Sequence, residues 1–403
     1  MPTLLQINEC ANHGSHGRIA EKLGLKVMEH GWNSYIAYGR YFNSSKSQLI
    51  KVGCSWNVKC DALQSRLLDN HGLASKAATK KLVEKIVIIR PDLVHLHNIH
   101  GYYLNYPLLF RCLREIGVPV VWTLHDCWTM TGHCAHFELA NCYKWKDGCN
   151  HCANLKAYPS SLFLDRSARN YCLKKLYFNS LGNLTIVPVS YWLENIVKDS
   201  YLKNNKICTI QNGIDLDVFK PSARIGNTKD KFTILGVASV WYDTKGIEEF
   251  IKLADDENYQ IVMVGTDEKV EKRIPSNVKC IRRTSNIKEL AALYSSADIL
   301  LNPTYNDTFP TVNLEAMACG TPVVTYNTGG SPETLIGEGG TVVDKGNFQA
   351  LKSAIEQYRN MPVQVMEKIR EKCISITRLH FNEEECYNKY WRLYESVINC
   401  SSL

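Results

Sequence analysis

Twice along this chain, short apolar runs of strand length alternate with stretches of helical periodicity, a rhythm that few architectures accept. In the first half the runs are 3–7, 93–96, 118–124 and 184–189, with helical patterns over 18–30 and 102–116. The second half repeats it with runs at 232–237, 260–265, 298–302 and 322–326 and a helical stretch at 287–297. Strands that alternate with helices pair in parallel and carry helices on both faces, so each half predicts an α/β domain of the doubly wound type. The 403 residues leave room for two such domains of about 200 residues each. Between them, 211–231 breaks the periodicity with an Asn212-Gly213 turn, a Lys220-Pro221 pair and a charged run, the marks of a linker. The expected domains are therefore 1–212 and 213–380. A tail helix over 381–403, striped with Tyr387, Tyr390, Trp391, Tyr394, Val397 and Ile398, is expected to pack back on the first domain.

Apolar residues at 45% and charged residues at 22% exclude a disordered chain. The longest uncharged apolar run, 118–124, is far short of the roughly 18 residues that span a bilayer. The first ten residues lack the basic start of a secretory signal, so a cytoplasmic location is expected. The net charge of +7 (47 minus 40) suits an anionic ligand or an anionic membrane surface. The aromatic and basic motifs of RNA modules are absent, so no nucleic-acid partner is expected. Lys76, Lys80, Lys81 and Lys85 form a basic helical face that is either a contact with the cytoplasmic face of the inner membrane or a solvated surface.

Sixteen cysteines without a signal segment read as reduced thiols or a metal site rather than a disulfide framework. Cys134, Cys142, Cys149 and Cys152, ending in a Cys-X2-Cys pair with His133, His136 and His151 nearby, fall in an insertion at about 126–165. Four thiolates there would close a structural zinc shell and leave no open position for catalysis; free or partly oxidised thiols are the alternative.

Ligands of open parallel sheets bind beyond the carboxyl ends of strands, so polar residues that follow strands are the candidates. After the first strand, Gly14, Ser15 and Gly17 suit a backbone cradle for an anion or sugar at the start of a helix near Arg18, or simply a tight turn. His125 and Asp126 end the 118–124 strand, where they can bond a hydroxylated ligand or form a structural pair. Lys245 precedes a helix, where its ammonium would serve as a point charge for phosphate or lie solvated on the surface. In ADILLNPTYNDTFPTVNLEAMACGTPVV, Asp307 and Glu315 flank a helix opening near Thr311. The pair, the helix amides and Lys245 together describe a nucleotide-sugar site; each acid alone reads as a loop or helix-start residue.

From Asp307 to Glu333 the chain resembles the E-x7-E segment of retaining GT-B glycosyltransferases of family 4. Collinear matches at Gly14-Ser15, Thr123-Leu124-His125-Asp126, Val189-Ser190, Asn212-Gly213-Ile214-Asp215 and Lys245-Gly246 extend the resemblance over essentially the whole chain. LLQINECANHGSHGRIAEKLG and HLHNIHGYYLNYPLL look like the branch that builds bacterial capsule, exopolysaccharide or lipopolysaccharide. The resemblance implies a GT-B fold of two Rossmann-like domains facing across a cleft. It also implies metal-independent transfer of a sugar from a nucleoside diphosphate donor to a lipid-linked or oligosaccharide acceptor, with retention and without a catalytic cofactor. Carried onto this sequence, Glu315 would hold the ribose hydroxyls, Asp307 the donor sugar, Lys245 the diphosphate, and His125 the sugar from the opposite domain. Backbone amides of Phe309, Pro310, Thr311 and Val312 (Pro310 itself lending no N–H) would line sugar and phosphate; Gly14, Ser15, Asp126, Ser190 and Asn212 complete the substrate-binding set. Two positions depart from the family pattern: Asp307 replaces the usual Glu, and Val240 stands where many members have Arg. A nucleotide-sugar 2-epimerase of the same fold and a non-catalytic nucleotide-sugar-binding module are the alternatives.

Overall fold

The computed structural model describes residues 1–223 and 231–401, and the 224–230 part of the expected linker lies outside them. Two compact units are present, Met1–Ile210 together with the chain from Tyr387 onward, and Gln211–Cys386. The first holds β1 (Thr3–Asn8), β2 (Asn33–Tyr38), β3 (Gln48–Lys51), β4 (Leu93–Leu96), β5 (Val120–Leu124), β6 (Leu184–Pro188) and β7 (Lys206–Ile207). They form one sheet in the order β3-β2-β1-β4-β5-β6-β7, with every pairing parallel. The second unit holds β8 (Phe232–Val237), β9 (Tyr259–Val264), β10 (Lys279–Ile281), β11 (Ile299–Asn302), β12 (Val323–Tyr326) and β13 (Gly340–Val343). Their order is β10-β9-β8-β11-β12-β13, again all parallel.

The central strands β1, β4, β5, β11 and β12 are buried at every residue, because helices cover both faces of the sheet. In the second unit Ile234, Ile261, Met263, Ile299, Leu301 and Val324 meet Phe250, Leu351 and Ile355 in one core. Burying each such side chain stabilises the unit by roughly 1.5–3 kcal/mol before the entropy of ordering it is charged. The strand order reverses between β1 and β4 and again between β8 and β11. At such a reversal the two neighbouring strands send their following segments to opposite sides, which opens a crevice beyond their carboxyl ends.

The last helix, Glu383–Ser401, starts two residues later than expected, and its opening residues through Cys386 belong to the second unit. From Tyr387 it lies on the first sheet. Tyr394 OH sits 2.6 Å from Nδ1 of buried His95, Tyr390 OH 3.0 Å from Thr123 Oγ1, and Trp391 stacks on His30 at 3.9 Å. At the other end, Ile214 N donates to Phe381 O (2.7 Å) and Glu383 N to Ile214 O (3.1 Å). A Cβ on Gly213 would stand 2.4 Å from the Glu383 Cα, which is why this turn requires glycine. Among the described residues, no helix is long and apolar enough to cross a membrane.

Candidate active site

The reversal point of the second sheet places two loops side by side. After β8 the chain makes a 3-10 turn at Asp243–Lys245 and then Gly246, whose φ of +75° suits glycine. A Cβ there would fall 2.5 Å from Pro303, in the loop that leaves β11, so the missing side chain lets the loops touch. They are tied by Tyr305 N to Thr244 O at 2.8 Å. Across this seam Lys245 Nζ donates to Asp307 Oδ2 at 2.7 Å, and both side chains remain partly exposed. Asp307 Oδ1 accepts the Phe309 amide at 3.2 Å, and the Asp307 carbonyl accepts Gly330 N at 3.1 Å. The acid is therefore fixed at both oxygens and through its backbone.

Pro310 then opens the helix Thr311–Ala318, and no side chain caps it. Its first-turn amides, of which Asn313 N donates to Pro310 O at 3.2 Å, carry the positive end of the helix dipole. The helix is pinned from below by a buried chain: Asn302 Nδ2 to Asn313 Oδ1 and Asn313 Nδ2 to Thr334 Oγ1, each at 2.8 Å. Glu315, one turn in, accepts from Tyr294 OH at 2.7 Å. Under the Lys245 loop, buried Glu249 accepts from Tyr305 OH (2.7 Å) and Tyr326 OH (3.1 Å), while its second oxygen has no bonding partner among the described residues. Burial and then Glu249 push the Tyr305 hydroxyl up to about 12, so it stays a donor. The second unit thus presents an ammonium held by a carboxylate, a helix start without a side-chain cap, and a second carboxylate one turn into that helix held by Tyr294.

In the first unit the chain after β1 turns on Asn8, whose amide donates to Cys10 O (2.9 Å) and whose oxygen meets His16 Nδ1 (3.0 Å). The helix Gly14–Glu29 begins here, four residues before the expected start, with Gly14 at φ +67° and open space around it. Ser15 is exposed. Gln6 donates its amide to Ala20 O (2.7 Å), so its oxygen accepts from His97 Nε2 (3.0 Å). His97 Nδ1 is then the acceptor that faces His125 Nε2 at 3.4 Å, an assignment by network logic. Burial, followed by neighbouring imidazoles, lowers both rings well below the ordinary histidine range and keeps them neutral. His16 lies with its ring 5.9 Å from that of His125.

Against this geometry stand the comparisons with known proteins. Residues 57–218 match the model described as Glycosyltransferase Family 4, and residues 219–380 match Glycosyl transferases group 1. The chain belongs to glycosyltransferase family 4. It is 24% identical over 363 residues to the Escherichia coli K12 protein WcaC, whose name assigns it to glycosyl transfer in colanic acid biosynthesis; the match covers 85% of this chain and 87% of that one. It is 26% identical over 246 residues to the Staphylococcus aureus capsular polysaccharide biosynthesis glycosyltransferase CapM, over 53% of this chain and 61% of that one. The fold is GT-B. A sucrose-phosphate synthase of Thermosynechococcus elongatus superposes with a TM-score of 0.75 at 18% identity, over 99% of this chain and 100% of that chain. Anabaena HepE, solved with UDP and glucose, superposes with a TM-score of 0.67 at 14% identity, over 98% and 99%.

Within this glycosyltransferase, Lys245 and Asp307 are bonded to each other, and Thr311, Val312 and Glu315 lie on the helix that follows Asp307. Several other expectations need correction. The Phe309 amide is spent on Asp307 and is not available to a ligand. Asp126 does not pair with His125: its Oδ2 accepts from His100 Nε2 at 2.8 Å and its Oδ1 from Trp128 N at 2.9 Å. Burial alone would raise the Asp126 pKa, but His100 outweighs it and holds the carboxyl well below the usual range. Ser190 is fully buried and caps the helix Tyr191–Asp199 through Leu193 N, so its hydroxyl is structural. Asn212 is buried at the turn whose Gly213 packs on Glu383. Val240 is exposed and brings no charge.

Cys134, Cys142, Cys149 and Cys152 line one small cavity with His133 and Trp145. Among the described residues, however, no three His, Cys, Asp or Glu side chains are grouped so as to hold a metal ion. Cys134 hydrogen-bonds Cys152, and Cys149 Sγ accepts Gly132 N at 3.1 Å. Sequence reading missed Tyr294, Glu249 and His16. The first two lie on helices with no local signal; His16 was visible as the second His of NHGSH.

Proposed function

We propose that this family 4 enzyme moves one sugar from a nucleoside diphosphate donor to a hydroxyl of a lipid-linked or oligosaccharide acceptor in the assembly of a bacterial surface polysaccharide. The anomeric configuration is retained and no metal takes part in the transfer. The observation that carries the reading is the Lys245–Asp307 pair at 2.7 Å beside the uncapped Thr311–Ala318 helix. An ammonium has three donors, and Asp307 takes one in a fixed direction, which leaves two for diphosphate oxygens. The helix amides supply further donors, so the anion has its charge partners in the chain itself. Glu315, oriented by Tyr294, accepts from the ribose hydroxyls.

In the reaction the bond from the anomeric carbon to the β-phosphate oxygen breaks while the acceptor oxygen bonds to that carbon on the same face. The acceptor proton passes to the departing phosphate oxygen, and stabilisation of the diphosphate lowers the barrier. His125 and the Gly14–Ser15 turn of the N-terminal unit are assigned to sugar and acceptor. The names of WcaC and CapM support the polysaccharide role. Acceptor-dependent release of nucleoside diphosphate, with the new anomeric linkage read by NMR, tests the reading. Release of an epimer or free nucleotide without acceptor would favour a 2-epimerase, and tight donor binding without turnover a binding module. Zinc at Cys134, Cys142, Cys149 and Cys152 would be structural, since sulfur would fill its shell. One zinc per chain in protein purified without added metal would support it.

A further inference from the structure

The helix Ser55–Leu68 is amphipathic in the reverse sense. The face it turns inward carries Asp61 and Ser65, both buried, with Asp61 accepting from Ser75 Oγ at 2.5 Å and from Ser65 Oγ at 3.4 Å. The face it turns to water carries Trp56, Cys60, Leu63 and Leu67, spaced four, three and four residues apart and so stacked along one stripe. Trp56 is 71% exposed and Leu63 58%. The stripe continues beyond the helix, because Leu162 N donates to the carbonyl of Arg66 and brings in Leu162 and Phe163, exposed at 61% and 75%. Scattered apolar side chains on a surface need no explanation, but a contiguous stripe opposite a polar buried face does.

The charges around it are mostly basic. Lys59 and Arg66 flank the stripe, and Lys59 Nζ lies 5.2 Å over the Trp56 ring. The next helix, Lys76–Ile89, is tied to this one through Ser75 and Asp61, and it exposes Lys76, Lys80, Lys81 and Lys85. Between residues 55 and 90 the only exposed carboxylate is Glu84, since Asp61 and Asp69 are buried; beside Phe163, exposed Asp165 is held by the backbone amides of Cys152 and Ser167. Apolar side chains and an indole with Lys59 and Arg66 along one side and four exposed lysines on the next helix match the acyl boundary and anionic headgroups of a bilayer better than a protein partner of mixed charge.

We propose that the face formed by Trp56, Leu63, Leu67, Leu162 and Phe163 seats on an anionic lipid bilayer, with Lys59, Arg66 and the Lys76–Ile89 lysines against the headgroups. The inference is independent of the donor site. Flotation of the full chain with phosphatidylcholine vesicles, with and without phosphatidylglycerol, tests it. The chain is expected to float with the anionic vesicles, less so at high salt, and to stay behind with the neutral ones. The variant combining Trp56→Gln, Leu63→Gln and Phe163→Gln, all at exposed positions and checked for an unchanged melting temperature, is expected to lose about tenfold or more in partition. Failure to bind anionic vesicles at low salt overturns the proposal, as does equal binding by the triple variant. A concentration-dependent dimer abolished by the same triple variant also overturns it, since the stripe would then be covered by a second copy.

Discussion

Lys245 and Asp307 lie 62 residues apart in sequence, yet a single 2.7 Å bond joins them. Removing the ammonium leaves Asp307 without its cation and takes away the only charged donor assigned to the diphosphate. Lys245→Ala is therefore expected to lower kcat/KM by about 10²-fold or more with the fold intact, which steady-state kinetics and a melting curve check together. Glu315→Ala is expected to raise KM for the donor more than it lowers kcat, since a ribose contact is made equally in ground and transition states. In the first unit, Tyr394→Phe leaves the Nδ1 of buried His95 without its 2.6 Å partner. A loss of about 1–3 kcal/mol in chemical denaturation is expected, the cost of stranding a buried polar atom.

At the level of elements, Gly246 marks where the two loops of the crevice meet. Ala at this position meets both the φ of +75° and the 2.5 Å approach to Pro303. Gly246→Ala is expected to cost about 1–3 kcal/mol and to reduce turnover along with stability, read by denaturation and by initial rates. The strands that were legible in sequence are the ones buried on both faces: 93–96 and 232–237 match β4 and β8 at both ends. β3, β7, β10 and β13 escaped notice because they are short and lie at sheet edges, and β2, one strand in from an edge, because it mixes polar with apolar residues. The candidate site was legible where residues sit close in sequence, from Asp307 to Glu315. Tyr294 and Glu249 were not, because only tertiary packing brings a helix residue under a distant loop. Asp126 was misread for the same reason: proximity to His125 in sequence says nothing of His100, which the β4 segment delivers from 26 residues away.

Across the whole molecule, buried imidazoles tie stability to pH. Burial lowers His71, His95, His97 and His125 well below 6.5, so they are neutral when folded and ordinary when unfolded. The unfolded chain then binds more protons as pH falls, and the stability these groups contribute is complete above about 6.5 and is lost below it, by up to roughly 1.4 kcal/mol per histidine per pH unit. His133, whose pKa Asp69 raises against the opposing effect of burial, and Asp61, which burial pushes up to about 6, work the other way but are fewer. The melting temperature is expected to fall between pH 6.5 and 5.5; a rise over that interval would contradict the neutral assignment.

The account depends most on the diphosphate being held by Lys245 at the opening of the Thr311–Ala318 helix. Calorimetric titration of UDP and GDP into the wild-type chain and Lys245→Ala tests this without needing the acceptor or the donor sugar. The nucleotide that binds the wild type is expected to bind the variant about tenfold or more weakly, whichever base it carries. Equal affinity for both proteins would contradict the assignment of the diphosphate to this crevice.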